Sequence, residues 1–187
     1  MGVPRIDAQR SAVLLIDLQD KLVPVMHDRS TMLRRTERLI EGAAVLEVPV
    51  LVTEQYPRGL GRTVRAVADR LQGSVNVSEK TRFSACSASV VRLLEKFDVT
   101  SVVVAGIETH VCVLQTCLDL LDRGYTVALC NDATSSRRPA DRKAAVSRMV
   151  QAGVLPTTVE SVLLELLGDA ESPPFRAIRG IIQSKDG

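Results

Sequence analysis

The chain has no tryptophan, and aromatic residues make up only 3% of its 187 positions. That leaves no stacking platform for nucleic-acid bases. Excess charge is also missing. Lys and Arg number 24 against 22 Asp and Glu, and a net charge of +2 is too small to argue for nucleic acid or an anionic membrane. The one arginine-rich stretch, "SSRRPADRK" at 135–143, reads as a solvated loop and first helical turn. No apolar run approaches a membrane span, and the N-terminal "MGVPRIDAQR" has no apolar signal region. Neither a membrane nor a nucleic-acid partner is expected, and the cytoplasm is the expected location.

Histidine is scarce: His27 and His110 stand far apart, with no further histidine to complete a metal set. Four cysteines (Cys86, Cys112, Cys117 and Cys130) include no C-x-x-C pair. A chain of this size can bury a sizeable core without staples, so free thiols in a reduced compartment are expected. Cys112 and Cys117 diverge by about 140° on a helix and cannot share a metal. A glycine-rich dinucleotide turn and a Walker loop are both absent, which disfavours nucleotide cofactors. No cofactor and no metal are expected.

What is present is an alternation. Apolar, strand-like runs occur at 11–17, 48–54, 74–80, 100–106, 125–132 and 153–158. Helical patterns separate them near Thr31–Glu47, Thr63–Leu71, Ala85–Phe97, from the 107 region to Arg123, from Pro139 to just before Gly153, and near Glu160–Leu167. Such alternation implies an α/β fold, with a parallel sheet and helices on both of its faces. The strand runs are continuously apolar, as strands covered on both faces require. One domain over residues 1–187 is expected, with a tail at about 169–187 set apart by two prolines. In that tail Phe175, Ile178 and Ile182 fall at helical spacing, and the stripe is expected to bury itself on a second copy of the chain.

In an open parallel sheet, ligands bind at the carboxyl ends of the strands. The residues there are Asp17 and Gln19, then Glu54, Gln55 and Tyr56, then Lys80, then Gly106 to Cys112, and Asp132. The helix after "TSVVVA" shows an apolar face of Val111, Leu114, Leu118 and Leu121. Cys117 lies at its edge and reads as core, as does Cys130 inside "VALCN". Cys112 lies off the stripe in the first helical turn, with Glu108 or Thr109 as N-cap, where the dipole and free N–H groups favour a thiolate. Position alone leaves open a nucleophile or an inert small residue. His110 is two residues from Cys112 and faces elsewhere. Asp17 reads equally as a cap or as an active-site acid, and Lys80 as solvated or functional. Together the three form a base, a cation and a nucleophile.

Four segments carry a resemblance: "LLIDLQDKL" at 14–22, "EKTRFSA" at 79–85, "GIETHVCVLQTCLDLLDRGY" at 106–125 and "CNDATSSR" at 130–137. With them the chain resembles the isochorismatase-like cysteine hydrolase superfamily, which includes nicotinamidases, N-carbamoylsarcosine amidohydrolases and isochorismatase. "TEQYPRGLG" at 53–61 and "LLELLGDAESPPFRAI" at 163–178 are similar to the branch called isochorismatase domain-containing proteins. The resemblance implies a doubly wound, three-layer sandwich with six parallel strands in the order 3-2-1-4-5-6. It implies Asp17 as general base, Lys80 as electrostatic partner and Cys112 as nucleophile. Backbone N–H groups of Glu108 and Cys112 are implied as the oxyanion hole, with a non-proline cis bond between Ile107 and Glu108, and multimers are implied.

Metal-dependent nicotinamidases carry an Asp-x-His after the second strand, where this chain has Thr53-Glu54-Gln55. Isochorismatase lacks the nucleophilic cysteine that this chain has. The expected activity is therefore metal-independent hydrolysis of a C–N bond in a small amide or carbamoyl-type substrate, through a thioester at Cys112. The rivals are a scaffold protein that retains the site and a vinyl-ether hydrolase using Asp17 alone. Gln19, Gln55, Tyr56, Arg58, Phe83, Ile107 and Val111 are the candidates for substrate contact.

Overall fold

In the computed structural model, residues 3–71 and 76–184 are described. Residues 74 and 75 of the expected third strand, and the two ends of the expected domain at 1–2 and 185–187, lie outside them. Six strands form one sheet: β1 (Ser11–Ile16), β2 (Val50–Gln55), β3 (Asn76–Lys80), β4 (Ser101–Ile107), β5 (Thr126–Ser135) and β6 (Leu155–Thr157). Their order is β3-β2-β1-β4-β5-β6 and every neighbouring pair is parallel. The order reverses between β1 and β4, which places a crevice at their carboxyl ends.

The period of two along each strand sorts the core into two layers. Val13 and Leu15 of β1, with Val103, Ala105 and Ile107 of β4, face one layer. It is covered by α1 (Arg29–Val45), α7 (Val159–Leu167) and α8 (Phe175–Gln183). Ala12, Leu14 and Ile16, with Val102 and Val104, face the other. There the cover is α4 (Ala88–Lys96), α5 (Leu114–Asp122) and α6 (Pro139–Ala152). Local chemistry sets the helix ends. Ser87 caps α4 by accepting from the Val90 N–H, and Thr158 caps α7 by accepting from the Ser161 N–H. α6 starts on Pro139 and stops at left-handed Gly153.

Two short helices, α2 (Pro57–Leu60) and α3 (Arg65–Ala68), lie between β2 and β3. The second is all that forms of the helix expected over Thr63–Leu71. Among the described residues, no helix is long and apolar enough to cross a membrane.

The tail corrects one expectation. α8 follows Pro173 and Pro174 as a helix, and its stripe covers the chain's own body. Ile178 is fully enclosed against α1 and α7, and Ile181 and Ile182 pack part-buried on the same cluster. The segment after α7 folds back, so the apolar face needs no second copy to cover it.

Candidate active site

β1 ends on Ile16, and the next residue, Asp17, turns the chain with a left-handed backbone (φ 53°) that Asp tolerates better than most residues. Its side chain is fully enclosed. One carboxylate oxygen accepts from Thr53 Oγ1 at 2.8 Å, and the other accepts from Lys80 Nζ at 2.6 Å. Lys80, the last residue of β3, also donates to Gln55 Oε1 at 2.7 Å and to the carbonyls of Phe83 at 2.9 Å and Arg82 at 3.3 Å. Every donor of the ammonium is therefore engaged, as a buried charge requires.

The third side chain arrives from β4. Gly106 and Ile107 end that strand, the Ile107–Glu108 peptide bond is cis, and residues Thr109–Val113 form a π-type turn that runs into α5. Its signature is the Val113 N–H bonding back to the Glu108 carbonyl at 3.2 Å. Such wide turns recur at functional sites. The Glu108 carboxylate is held from outside by the Arg137 backbone N–H and Nε, both at 3.1 Å, and His110 Nδ1 lies 3.0 Å from Ser136 Oγ. Behind Cys112, Thr116 Oγ1 donates to its carbonyl at 2.6 Å and accepts from the Ala85 N–H at 2.8 Å. That hydroxyl ties the turn to the loop after Lys80.

The wide turn rotates the helix against simple 3.6-residue spacing. The enclosed positions are Val113, Leu114, Thr116, Cys117 and Leu120, while Val111, Leu118 and Leu121 are part-buried. Cys112 joins the buried set with 6% exposure. The helix start favours a thiolate, but enclosure works against it. Burial and then the Asp17 charge push the thiol up to about 12, against the opposing pull of Lys80. Asp17 and Lys80 thus act on the thiol in opposite directions. Cys117 and Cys130 are fully buried core thiols, raised further still by burial, and Cys86 is part-buried.

Two expected substrate contacts, Gln19 and Ile107, turn out enclosed, and Gln55 is partly committed. Gln19 is fully enclosed: its Nε2 donates to the carbonyls of Gln55 and Gly61, and its Oε1 accepts from the Gln55 N–H at 2.7 Å. Gln55 spends Oε1 on Lys80 and donates Nε2 to the Thr81 carbonyl at 2.7 Å. Ile107 is fully enclosed in the core. A side chain without exposure braces a site and does not read a ligand, whereas part-exposed Gln55 keeps a second Nε2 hydrogen. Tyr56 and Phe83 are each 54% exposed and Val111 is part-buried, so these three remain available. Asp132 serves the scaffold, accepting from the Val159 N–H at 2.9 Å and pairing with Arg35. Thr53 and Thr116 were missed by the reading of strand ends. Thr116, at i+4 from Cys112, is the one whose spacing offered a signal.

Beside Lys80 lies a cavity of about 520 Å³, lined among others by Tyr56, Arg58, Arg82, Ser84 and Cys86. Among the described residues, no three His, Cys, Asp or Glu side chains gather as a metal site.

Residues 11–161 match the isochorismatase domain family. The chain belongs to that family. Isochorismatase domain-containing protein 1 of Salmo salar is 44% identical over 169 residues, covering 90% of this chain. The chain spans only 59% of that relative's length. Isochorismatase domain-containing protein 2 of Xenopus laevis is 44% identical over 177 residues, covering 93% of this chain and 84% of that protein. Among solved structures, the MAR1 ribonuclease from Caenorhabditis elegans superposes with a TM-score of 0.94 at 38% identity, over 98% of this chain and 95% of its own. YcaC from Pseudomonas aeruginosa, solved with hexane-2,5-diol and covalent acrylamide, gives 0.88 at 25% identity over 97% and 93%. The fold is thus shared along nearly the whole chain, and the isochorismatase domain over residues 11–161.

Proposed function

We propose that this family member is a metal-independent cysteine hydrolase that cleaves a C–N bond of a small amide or carbamoyl-type substrate. The observation that carries the reading is the enclosed Lys80–Asp17 pair at 2.6 Å, with buried Cys112 under the charge of both. Asp17 takes the Cys112 proton as sulfur attacks the carbonyl carbon. The N–H groups of Glu108 and Cys112, at the mouth of the turn where first-turn donors lack intrahelical acceptors, receive the tetrahedral oxyanion. Lys80 pairs with Asp17 beforehand and balances charge during attack. Protonated Asp17 then delivers its proton to the departing ammonia or amine, leaving a thioester. Water, giving its proton to Asp17, hydrolyses the thioester to the acid, and that proton returns to the sulfur. The covalent acrylamide carried by YcaC shows an amide-bearing electrophile held covalently in a related protein, which supports this chemistry.

The ribonuclease name of the C. elegans relative offers a second reading, in which cations around the cavity would meet phosphates. We place the small amide first because a cavity of about 520 Å³ suits a small molecule and the net charge is only +2. The chain is further proposed to work in the cytoplasm with its thiols reduced. A second copy is proposed to cover Val25, Tyr56 and Phe83, each more than half exposed on segments beyond the carboxyl ends of β1 to β3. Light scattering that shows a monomer would remove this last part.

Incubation with an amide panel and an RNA oligonucleotide, followed by intact-mass analysis, tests the main reading. A thioester or trapped adduct on Cys112, and turnover abolished in Cys112→Ala, are expected. Full turnover in Cys112→Ala would overturn the thioester, and turnover of a vinyl ether by that variant would move the chemistry to Asp17 alone. No turnover on any member would favour the scaffold reading.

A further inference from the structure

Two guanidinium groups stand on the cavity beside Lys80 with nothing to neutralise them. Arg58 comes from α2, after β2, and Arg82 from the loop after β3. Among the described residues neither guanidinium has a hydrogen-bond or ion-pair partner. Other arginines near the same strand ends are spent on carboxylates, Arg62 on Glu54 and Glu79 and Arg137 on Glu108. The other charges on the cavity are already committed. Lys80 is bound to Asp17, and Glu79 is engaged by Arg62 at 2.6 Å. The cavity is left with two free positive charges.

Both arginines are presented by backbone that the site itself fixes. The Arg82 carbonyl accepts from Lys80 Nζ. The turn bearing Arg58 is pinned by Lys21 Nζ on the Gly59 carbonyl at 2.8 Å, by the Lys21 N–H on the Leu60 carbonyl at 3.1 Å, and by Gln19 Nε2 on the Gly61 carbonyl at 2.7 Å. Gly59 itself packs so closely on Tyr56 that an added Cβ would lie 2.4 Å from its ring. Unpaired cations carried on well-held backbone beside one cleft concentrate anions, and the guanidinium fork matches a carboxylate.

We infer that the substrate carries a carboxylate in addition to its scissile carbonyl, and that Arg58 and Arg82 hold that carboxylate. The inference rests on the amide-hydrolase reading only for the position of the reacting carbonyl. It assigns the cavity to amides bearing an acid group, not to neutral amides.

Calorimetric titration with succinamate and with its neutral counterpart succinamide tests it, in the wild type and in Cys112→Ala, where no turnover interferes. Succinamate is expected to bind at least about tenfold more tightly in both proteins. The preference should fall toward unity in Arg58→Ala/Arg82→Ala, fall partly in each single variant, and shrink as salt is raised. Both side chains are exposed, so thermal unfolding should be unchanged by these substitutions. Equal affinities in the wild type, failure of succinamate to bind at millimolar concentration, or a preference that survives the double substitution overturns the inference. Because Cys112→Ala reports binding alone, a failed nucleophile leaves the carboxylate result readable. An amide hydrolase without carboxylate preference overturns this inference alone.

Discussion

Lys80 Nζ lies 2.6 Å from Asp17 Oδ2, with the two side chains 3% and 0% exposed. Each ion is otherwise satisfied: Asp17 by Thr53, and Lys80 by Gln55 and two carbonyls. A buried pair of this kind contributes little over apolar packing, yet removing one partner strands the other charge at about 3–5 kcal/mol. Lys80→Met and Asp17→Asn are each expected to destabilise by about that amount and to abolish turnover. The double variant should recover part of the stability and none of the activity. Urea unfolding of all three, with wild type, closes the cycle. Additive losses would mean that the two side chains do not act as a pair.

Raised thiol pKa values give a pH signature at the alkaline end. Cys112 is pushed from 9.0 up to about 12 by burial and the Asp17 charge. Between about pH 9 and 12 the folded chain therefore keeps a proton that the unfolded chain has lost, and stability falls as pH rises through that window. Cys86, pushed up to about 11 by burial, adds to the same limb. Urea midpoints taken across this range should decline less steeply in Cys112→Ala than in wild type. Parallel declines would show that the folded thiol titrates normally.

The strand runs and the side chains at their ends were legible because each depends on local pattern. Asp17, Lys80 and Cys112 each follow a strand within a few residues, and the sheet converges those ends. Partnership across the chain was not legible. Gln19 and Gln55 look like pocket polar groups in sequence, but their acceptors and donors come from 36 and 25 residues away. The face of α5 was misread because the wide turn at Thr109–Val113 shifts the helical phase before the regular spacing begins. The tail's apolar spacing was visible, yet its partner, α1, was a matter of how the chain folds back.

Glu54 anchors the segment that carries Tyr56 and Arg58. Burial works to raise its pKa, but Arg62 and the N–H and hydroxyl of Thr63 outweigh burial and hold it below its ordinary 4.5. A depressed carboxylate contributes stability that is present above its unfolded value and lost as pH falls through the folded one. Glu54→Gln should therefore flatten the acid limb of the stability profile below about pH 4.5. It should also raise KM more than it lowers kcat, because the cavity wall loosens while Asp17 and Lys80 stay paired. An unchanged KM would show that the wall is held without Glu54.

Gly106 is where the two halves of the site meet. It pairs with Ile16 in the β1–β4 register, has φ +118°, and an added Cβ would lie 2.2 Å from the Ile16 carbonyl oxygen and 2.6 Å from its nitrogen. Those are backbone atoms of a central strand and cannot move without parting β1 from β4. Gly106→Ala is expected to cost about 1–3 kcal/mol in backbone strain, and about 1–3 kcal/mol more in overpacking. Gly153 is the control: its φ is +108°, but nothing lies within 4 Å of its added Cβ, so Gly153→Ala should show the strain alone. Thermal and urea unfolding of both variants separate the two contributions, and equal losses would sink the close-approach argument. Activity adds a second readout. Asp17 is the residue after Ile16, and Glu108 is two residues after Gly106, so separating the strands moves the base away from the turn that carries the thiol. Gly106→Ala should lose turnover even where it remains folded, whereas Gly153→Ala should keep it.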